Sequence, residues 1–513
     1  MPRERRGEGG PAARCRRLVP EPSPCNKCAV TAAYIAFHAA ERPDAVAIVD
    51  NGQSITYAEL ARDIRKIKHA LRALDLPPGS TAAIDCNDAY LDWLLRLAFE
   101  QLRVVTATLG LPETQDVLPL VRDFDIVLTG RNLPGGAVRH HPITAASLRG
   151  ILEGGEEDHE PAPSPRPDDP IRIVFTSGTT GATKRLLYTR RIHEVSIARV
   201  LWIVDMTRRS RYLLAMRSAV SGPTACIRAG GTVVIEERTT VAGAIAAHGI
   251  THTNMPPFVL KMVLDELPKD FAKPAELAII SFGAAVSPAL REKALARLAT
   301  EICDVYASNE VDSISCNRGK GEIGCVLPGV RVEVVDEHDR PLPFGTAGLI
   351  RVQTDYMLNG YIDFPEAAGR IFKDGWFYGG DVGILHDAHR LQVLGRSDDV
   401  LNIGWVKIAP EVIEDRVLSL GEVADACVCG VPNRDGVEEV CIAVAGQRCS
   451  DERLLQRVTE AFRDFQFGRF HVIKMPAIPR TANGKPRRRA LKGIIAAHME
   501  ARSRGPEPVR ERP

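Results

Sequence analysis

At 513 residues, 45% hydrophobic and 26% charged, the chain exceeds what one hydrophobic core supports and reads as a multidomain globular protein. Its 66 Lys and Arg against 65 Asp and Glu leave a net charge of +1, which removes the electrostatic case for nucleic acid as a partner. No uncharged apolar run approaches the roughly 20 residues that span a bilayer, so no membrane span is expected. Of the 12 cysteines, Cys25/Cys28 and Cys427/Cys429 are the close pairs, and their separation and unequal spacing do not fit a zinc site. Cys427, Cys429 and Cys441 alternate with apolar residues as buried strand cysteines do, which points to reduced thiols in a cytoplasmic protein.

Residues 1–29 read as a disordered, Arg-rich basic tail. Folded structure begins with a helix near Ala32–Ala40, then a strand at Ala45–Val49. Thr56 and Glu59 have the spacing of a capping box and open a helix that ends before Pro77-Pro78-Gly79. A strand at Thr81–Ile84, a helix at Ala89–Gln101, a strand at Val104–Ala107 and a helix at Val117–Phe124 continue the alternation expected of a parallel α/β sheet. A polar connection over Gly154–Pro170 leads into the strand Ile171–Phe175. Helices and strands alternate again to Leu298, and after Glu310 short strands separated by turns predict a small barrel or curved sheet. The predicted organisation is a large α/β N-terminal domain over 30–396, a smaller α+β C-terminal domain over 397–499 and a second tail over 500–513. No repeat is visible at periods of 20–50 residues.

Five segments carry chemistry. Thr176-Ser177-Gly178-Thr179-Thr180-Gly181 supplies glycines for a tight turn and hydroxyls as donors, and Lys184 follows as a point charge. This pattern holds a polyphosphate, although the Walker A spacing is absent. Tyr306-Ala-Ser-Asn309-Glu310 combines an aromatic face for a nucleobase with a carboxylate for Mg²⁺. Gly379-Gly380-Asp381 places a carboxylate where it can accept ribose hydroxyl protons; taken alone it is an ordinary Asp–Gly turn. Gly395-Arg396-Ser-Asp398 falls at the domain boundary, where small polar residues absorb backbone rotation. Asn483-Gly-Lys485 projects a lysine from a turn, and the Arg487–Arg489 run behind it reads on its own as a solvated or nucleic-acid-facing surface.

In this order the segments resemble the motifs of the adenylate-forming superfamily, which includes acyl- and aryl-CoA synthetases, adenylation domains of peptide synthetases and luciferases. Ser281-Phe-Gly283-Ala284-Ala285 matches a further nucleotide segment of that family, and the resemblance covers about residues 30–495. It implies ATP-dependent activation of a carboxylic acid to an acyl-adenylate, then transfer to a thiol of CoA or of carrier-protein phosphopantetheine. By resemblance, Thr176–Gly181 and Lys184 cover the β- and γ-phosphates and Glu310 holds Mg²⁺. Gly283–Ala285 and Tyr306 flank the adenine, and Asp381 with Arg396 takes the ribose. Asp398 is the hinge, and Lys485 neutralises charge at the acyl and α-phosphate oxygens.

This sequence departs from the family pattern at several positions. Thr183 stands where a proline precedes the loop lysine, and Gly379 replaces a threonine. Asn309 replaces a threonine that serves the α-phosphate, which predicts weakened adenylation, with Asn309 and Glu310 still counted beside Lys485 as catalytic candidates. The segment Ala215–Gly222 offers no acid to pair with an α-amino group, so a non-amino acid is expected as substrate. Trp405, beside Gly404, occupies a glycine position of the acceptor tunnel, where the indole either narrows the tunnel or packs elsewhere after a one-residue shift. The resemblance therefore leaves three readings: an acid–thiol ligase, an adenylation-only enzyme passing its acyl group to an amine or dedicated carrier, and a nucleotide-binding pseudoenzyme.

Overall fold

A computed structural model describes residues 31–503 except 110–116, 134–137, 162–163, 178–182, 217–219, 320, 359, 363–368, 370, 398, 400, 404–405, 409, 433–437, 463–469 and 482–485. Strands Thr81–Asp85, Val105–Thr108, Ile126–Thr129, His140–Pro142 and Pro170–Ser177 pair in parallel, with Thr183–Thr189 closing that sheet as an antiparallel edge. A second sheet carries Val46–Asp50, Thr232–Ile235, Arg211–Leu213, His252–Asn254, Ala278–Phe282 and Glu301–Ser308 as parallel neighbours. The short strands after Glu310 continue this second sheet by antiparallel pairing through Asp312–Asn317 and Ile323–Val326 to Arg390–Arg396 and Asp381–Asp387.

The Ala89–Gln101 helix is buried at every residue from Ala89 to Phe99, which is the pattern of a helix covered on all faces. The Tyr57–Arg72 helix opens on the expected capping box: the Thr56 hydroxyl accepts from the Glu59 amide at 3.2 Å, and Glu59 accepts from the Thr56 amide at 2.7 Å. Val117–Phe124 yields only a short helix, Leu118–Val121, with no side-chain cap at its start.

In the second sheet the binding edge follows from topology. Ligands sit outside the carboxyl ends of parallel strands. There the chain leaves His252–Asn254 for the Pro257–Glu266 helix, leaves Ala278–Phe282 for the Gly283 turn, and leaves Glu301–Ser308 for Asn309 and Glu310.

The C-terminal part is built on Asp425–Pro432, Glu438–Ala445 and Phe470–Lys474, with helices Pro410–Ser419, Asp451–Ala461 and Arg488–Ser503. Its apolar residues fill two faces of the sheet: Val428, Val440 and Ile442 with Ile413 and Val458, and Cys427, Cys429 and Cys441 with Leu491 and Ile495. The alternation read from the cysteines is therefore real, and all three are buried and unbridged. Among the described residues no helix is long and apolar enough to cross a membrane, and no group of three or more His, Cys, Asp or Glu is placed to hold a metal ion.

Candidate active site

Pro170–Ser177 and Thr183–Thr189 form an antiparallel hairpin with Thr176 opposite Lys184 and Ser177 opposite Thr183. The phosphate loop therefore joins two strands, and Lys184 lies on a strand that the sequence reading did not include. Gly178, Thr179, Thr180 and Gly181 lie outside the described residues. Lys184 is buried, with Nζ 4.4 Å from the centre of the Tyr361 ring. Tyr361 Oη in turn donates to Glu310 Oε1 at 2.7 Å. Burial, then this bond to a carboxylate, pushes the Tyr361 phenol well up, so it stays a donor at neutral pH.

One tyrosine thus holds both the loop lysine and the magnesium candidate. Tyr188 Oη donates to the Asn309 carbonyl at 2.8 Å, and the Leu358 amide donates to the Glu310 carbonyl at 3.0 Å. These bonds fix the Asn309–Glu310 turn from two sides, while the Asn309 side chain stays exposed.

The nucleotide candidates form a second group. Tyr306 Oη donates to Asp381 Oδ2 at 2.6 Å. Asp381 faces Arg396 across the antiparallel pair, with Arg396 Nη1 3.6 Å from Asp381 Oδ1. Arg396 also bonds the Gly379 carbonyl. Gly380 has φ +80°, and an added Cβ would meet the Arg396 guanidinium at 3.0 Å, so glycine is required there. Tyr306 is held strongly protonated by burial first and by Asp381 second.

Gly283, Ala284 and Ala285 form an exposed turn with Gly283 at φ +90°. The Val286 amide behind that turn donates to Asp304 Oδ2 at 2.9 Å. Burial raises the Asp304 carboxyl to about 6, against the opposing pull of the Val286 amide and Arg291. The charge of Arg396 acts weakly on the Tyr361 phenol, opposing the upward push. Val311, next to Glu310, is packed in the core of the small strands.

Asp398, Gly404, Trp405 and Lys485 lie outside the described residues. Their neighbours are placed. The Ser397 amide donates to the Gly380 carbonyl at 2.7 Å, and Arg480 bridges Pro486. Arg488 corrects the reading of the basic run as surface. It is buried, donating to Glu411 Oε1 at 2.5 Å and to Glu414 Oε2 at 3.1 Å, with Asp399 Oδ2 at 3.9 Å.

The Pro410–Ser419 helix also meets the N-terminal domain, through the Asp415 bond to the Ser287 side chain and its repulsion from Glu322. Burial first, then Glu411 and Glu322, raises the Asp415 carboxyl from the usual 3.8 to about 7. The folded chain thus keeps a proton that the unfolded chain releases, and stability is lost as pH rises from about 4 to about 7. Asp415→Asn should melt close to the parent at pH 4 and a few degrees (about 2–4 °C) above it at pH 7.5. An offset that does not change with pH would remove this assignment.

The sequence profile of the AMP-binding enzyme family matches residues 105–362, and that of the AMP-binding enzyme C-terminal domain matches residues 412–485. The chain belongs to the AMP-binding enzyme family. Among relatives of this AMP-binding enzyme, a fatty acid–acyl-carrier-protein ligase of Streptomyces coeruleorubidus is 26% identical, covering 89% of this chain and 94% of its own. A sulfoacetate–CoA ligase of Cupriavidus necator is 25% identical, covering 90% of this chain and 97% of its own. Among solved structures, o-succinylbenzoate coenzyme A synthetase from Bacillus subtilis, in complex with ATP and magnesium, superposes with a TM-score of 0.77 at 21% identity, over 90% of this chain and 99% of that one. These likenesses fix the α/β architecture with a large N-terminal and a smaller C-terminal domain.

Proposed function

We propose that this AMP-binding enzyme is an AMP-forming acid–thiol ligase acting on a non-amino carboxylic acid. The observation that carries it is the pair of clusters Lys184–Tyr361–Glu310 and Tyr306–Asp381–Arg396, brought together by Tyr306 and Glu310 at the carboxyl end of the parallel strand Glu301–Ser308. The ligase names of relatives that match nearly end to end support the same reading.

In the first half-reaction the substrate carboxylate oxygen bonds to the ATP α-phosphorus as the bond to the bridging oxygen breaks and pyrophosphate leaves. Lys184 sits to take charge on the leaving phosphates, and Asp381 presents a carboxylate to the ribose with Tyr306 setting its orientation. Glu310, pinned through one oxygen by Tyr361, has no other side-chain bond among the described residues and fits a hard-cation ligand. Bound there, Mg²⁺ would supply charge neutralisation between phosphates. In the second half-reaction a thiolate attacks the acyl carbon, its bond to the AMP oxygen breaks, and AMP leaves. We assign the hinge to Asp398, between an N-terminal domain over 30–396 and a lid over 397–499.

The test is ATP–pyrophosphate exchange against a panel of carboxylic acids with Mg²⁺ or with chelator. Exchange with at least one acid, lost on chelation, is expected; nucleotide binding with no exchange for any acid would leave a pseudoenzyme. Parallel assays with CoA and with a phosphopantetheinylated carrier name the acceptor. Trp405→Gly measured alongside reads the tunnel, and unchanged thioester formation with every thiol would clear the indole of blocking it.

A further inference from the structure

Two prolines, Pro256 at the N-cap and Pro257 behind it, fix the backbone where the Pro257–Glu266 helix starts. Phe258 follows them and keeps 38% of its surface exposed, at the same strand-end edge as the Gly283 turn and Glu310. Its ring is met from the other domain. Arg480 Cζ lies 5.2 Å from the Phe258 centroid.

The guanidinium reaches the ring already oriented, because Asp425 accepts from its Nη2 at 2.6 Å and from its Nε at 3.1 Å. Arg480 also forms the base of the segment that includes Lys485. It bridges Pro486, and the Arg487 amide donates to the Pro479 carbonyl at 2.8 Å. Arg488, one residue on, is locked into the buried carboxylates. The chain on both sides of 482–485 is therefore fixed to its own domain, and where Arg480 docks decides where that domain stands against the strand-end edge.

We propose that Phe258 and Arg480 form the dock that sets the lid over the strand-end edge for adenylation and must part before the thiol step, an inference that rests on the ligase reading. Both are positioning residues. A cation over an aromatic face is attractive but weak enough to break in each turnover, and losing it removes one closed arrangement without touching reacting atoms.

Two measurements test the dock. In the first, the half-reactions are assayed separately: pyrophosphate exchange for adenylation, and thioester formation from a supplied acyl-adenylate for the second step. Phe258→Ala is expected to lower the exchange kcat about three- to twentyfold and to leave the second step unchanged or faster. Phe258→Tyr should stay within about twofold of the parent, and Phe258→Leu should be as slow as Phe258→Ala. Equal losses in both steps, no loss in exchange, or full recovery in Phe258→Leu would overturn the dock. The second measurement needs no activity. With p-benzoylphenylalanine replacing Phe258, irradiation with ATP and Mg²⁺ should cross-link the ring to the peptide that contains Arg480, and no cross-link there overturns the inference. A parent that exchanges with no acid while this cross-link forms would sink the ligase reading alone.

Discussion

Arg488→Met is expected to unfold the C-terminal domain ahead of the rest of the chain. The guanidinium is the counter-charge for Glu411 and Glu414, and it also reaches Cys427 Sγ at 3.6 Å. Glu414 is itself buried and accepts from the Val428 amide at 2.7 Å, so it cannot turn to solvent without opening the sheet. Removing one partner of a buried ion pair costs about 3–5 kcal/mol, because the remaining charge keeps its desolvation penalty. Methionine fills the volume, which isolates the charge effect from cavity formation.

The Glu414 carboxyl is already raised, because burial outweighs the attraction of Arg488. It rises further once Arg488 is gone. The defect should therefore be largest at pH 8 and shrink at pH 5.5, where the carboxyls take up protons. Urea unfolding of the full chain, followed at both pH values, checks this. A single transition with the parental midpoint at pH 8 would dismiss the network as ornament.

Lys485→Ala should cut acyl-adenylate formation by about 10²–10³-fold, the scale of losing one preorganised group at a charge-developing oxygen. Lys485 closes the matched C-terminal region and lies in sequence within the span closed by the Arg480–Pro486 bridge, just ahead of the Arg488 anchor. Pyrophosphate exchange measures the loss directly. Thioester formation from supplied acyl-adenylate should be spared, because that step no longer needs charge neutralised at the α-phosphate. Equal losses in both steps would reassign Lys485 to folding or to acceptor binding. Lys485→Arg, which keeps the charge but spreads it over a planar fork, is expected to recover only part of the rate.

What the sequence made legible follows range of interaction. The Thr56/Glu59 box, the Ala89–Gln101 helix and the alternating cysteines are set by neighbours within a few residues, and each appears where its pattern put it. Asp381 and Arg396 were legible as motif members, and strand pairing then makes them direct neighbours. Tyr361 was not legible, because its meaning lies in two partners: Glu310, 51 positions away, and Lys184. The strand Thr183–Thr189 carries Leu186, Leu187 and Tyr188 as a visible signal, yet it abuts a helix without a break and merges with it in a periodicity reading. Arg488 misleads for a physical reason. Charged residues at the start of a helix are ordinarily solvated, and only the packing of a second element removes the water.

The bond from the Ser397 amide to the Gly380 carbonyl ties the start of the boundary segment to the turn that presents Asp381. A swing of the lid that begins after Ser397 turns on a post set in the nucleotide's own frame. On the proposed reading the door would then sweep around the bound AMP moiety and leave its ribose latch shut. The activated acyl group would stay moored while one wall of the chamber is exchanged for another.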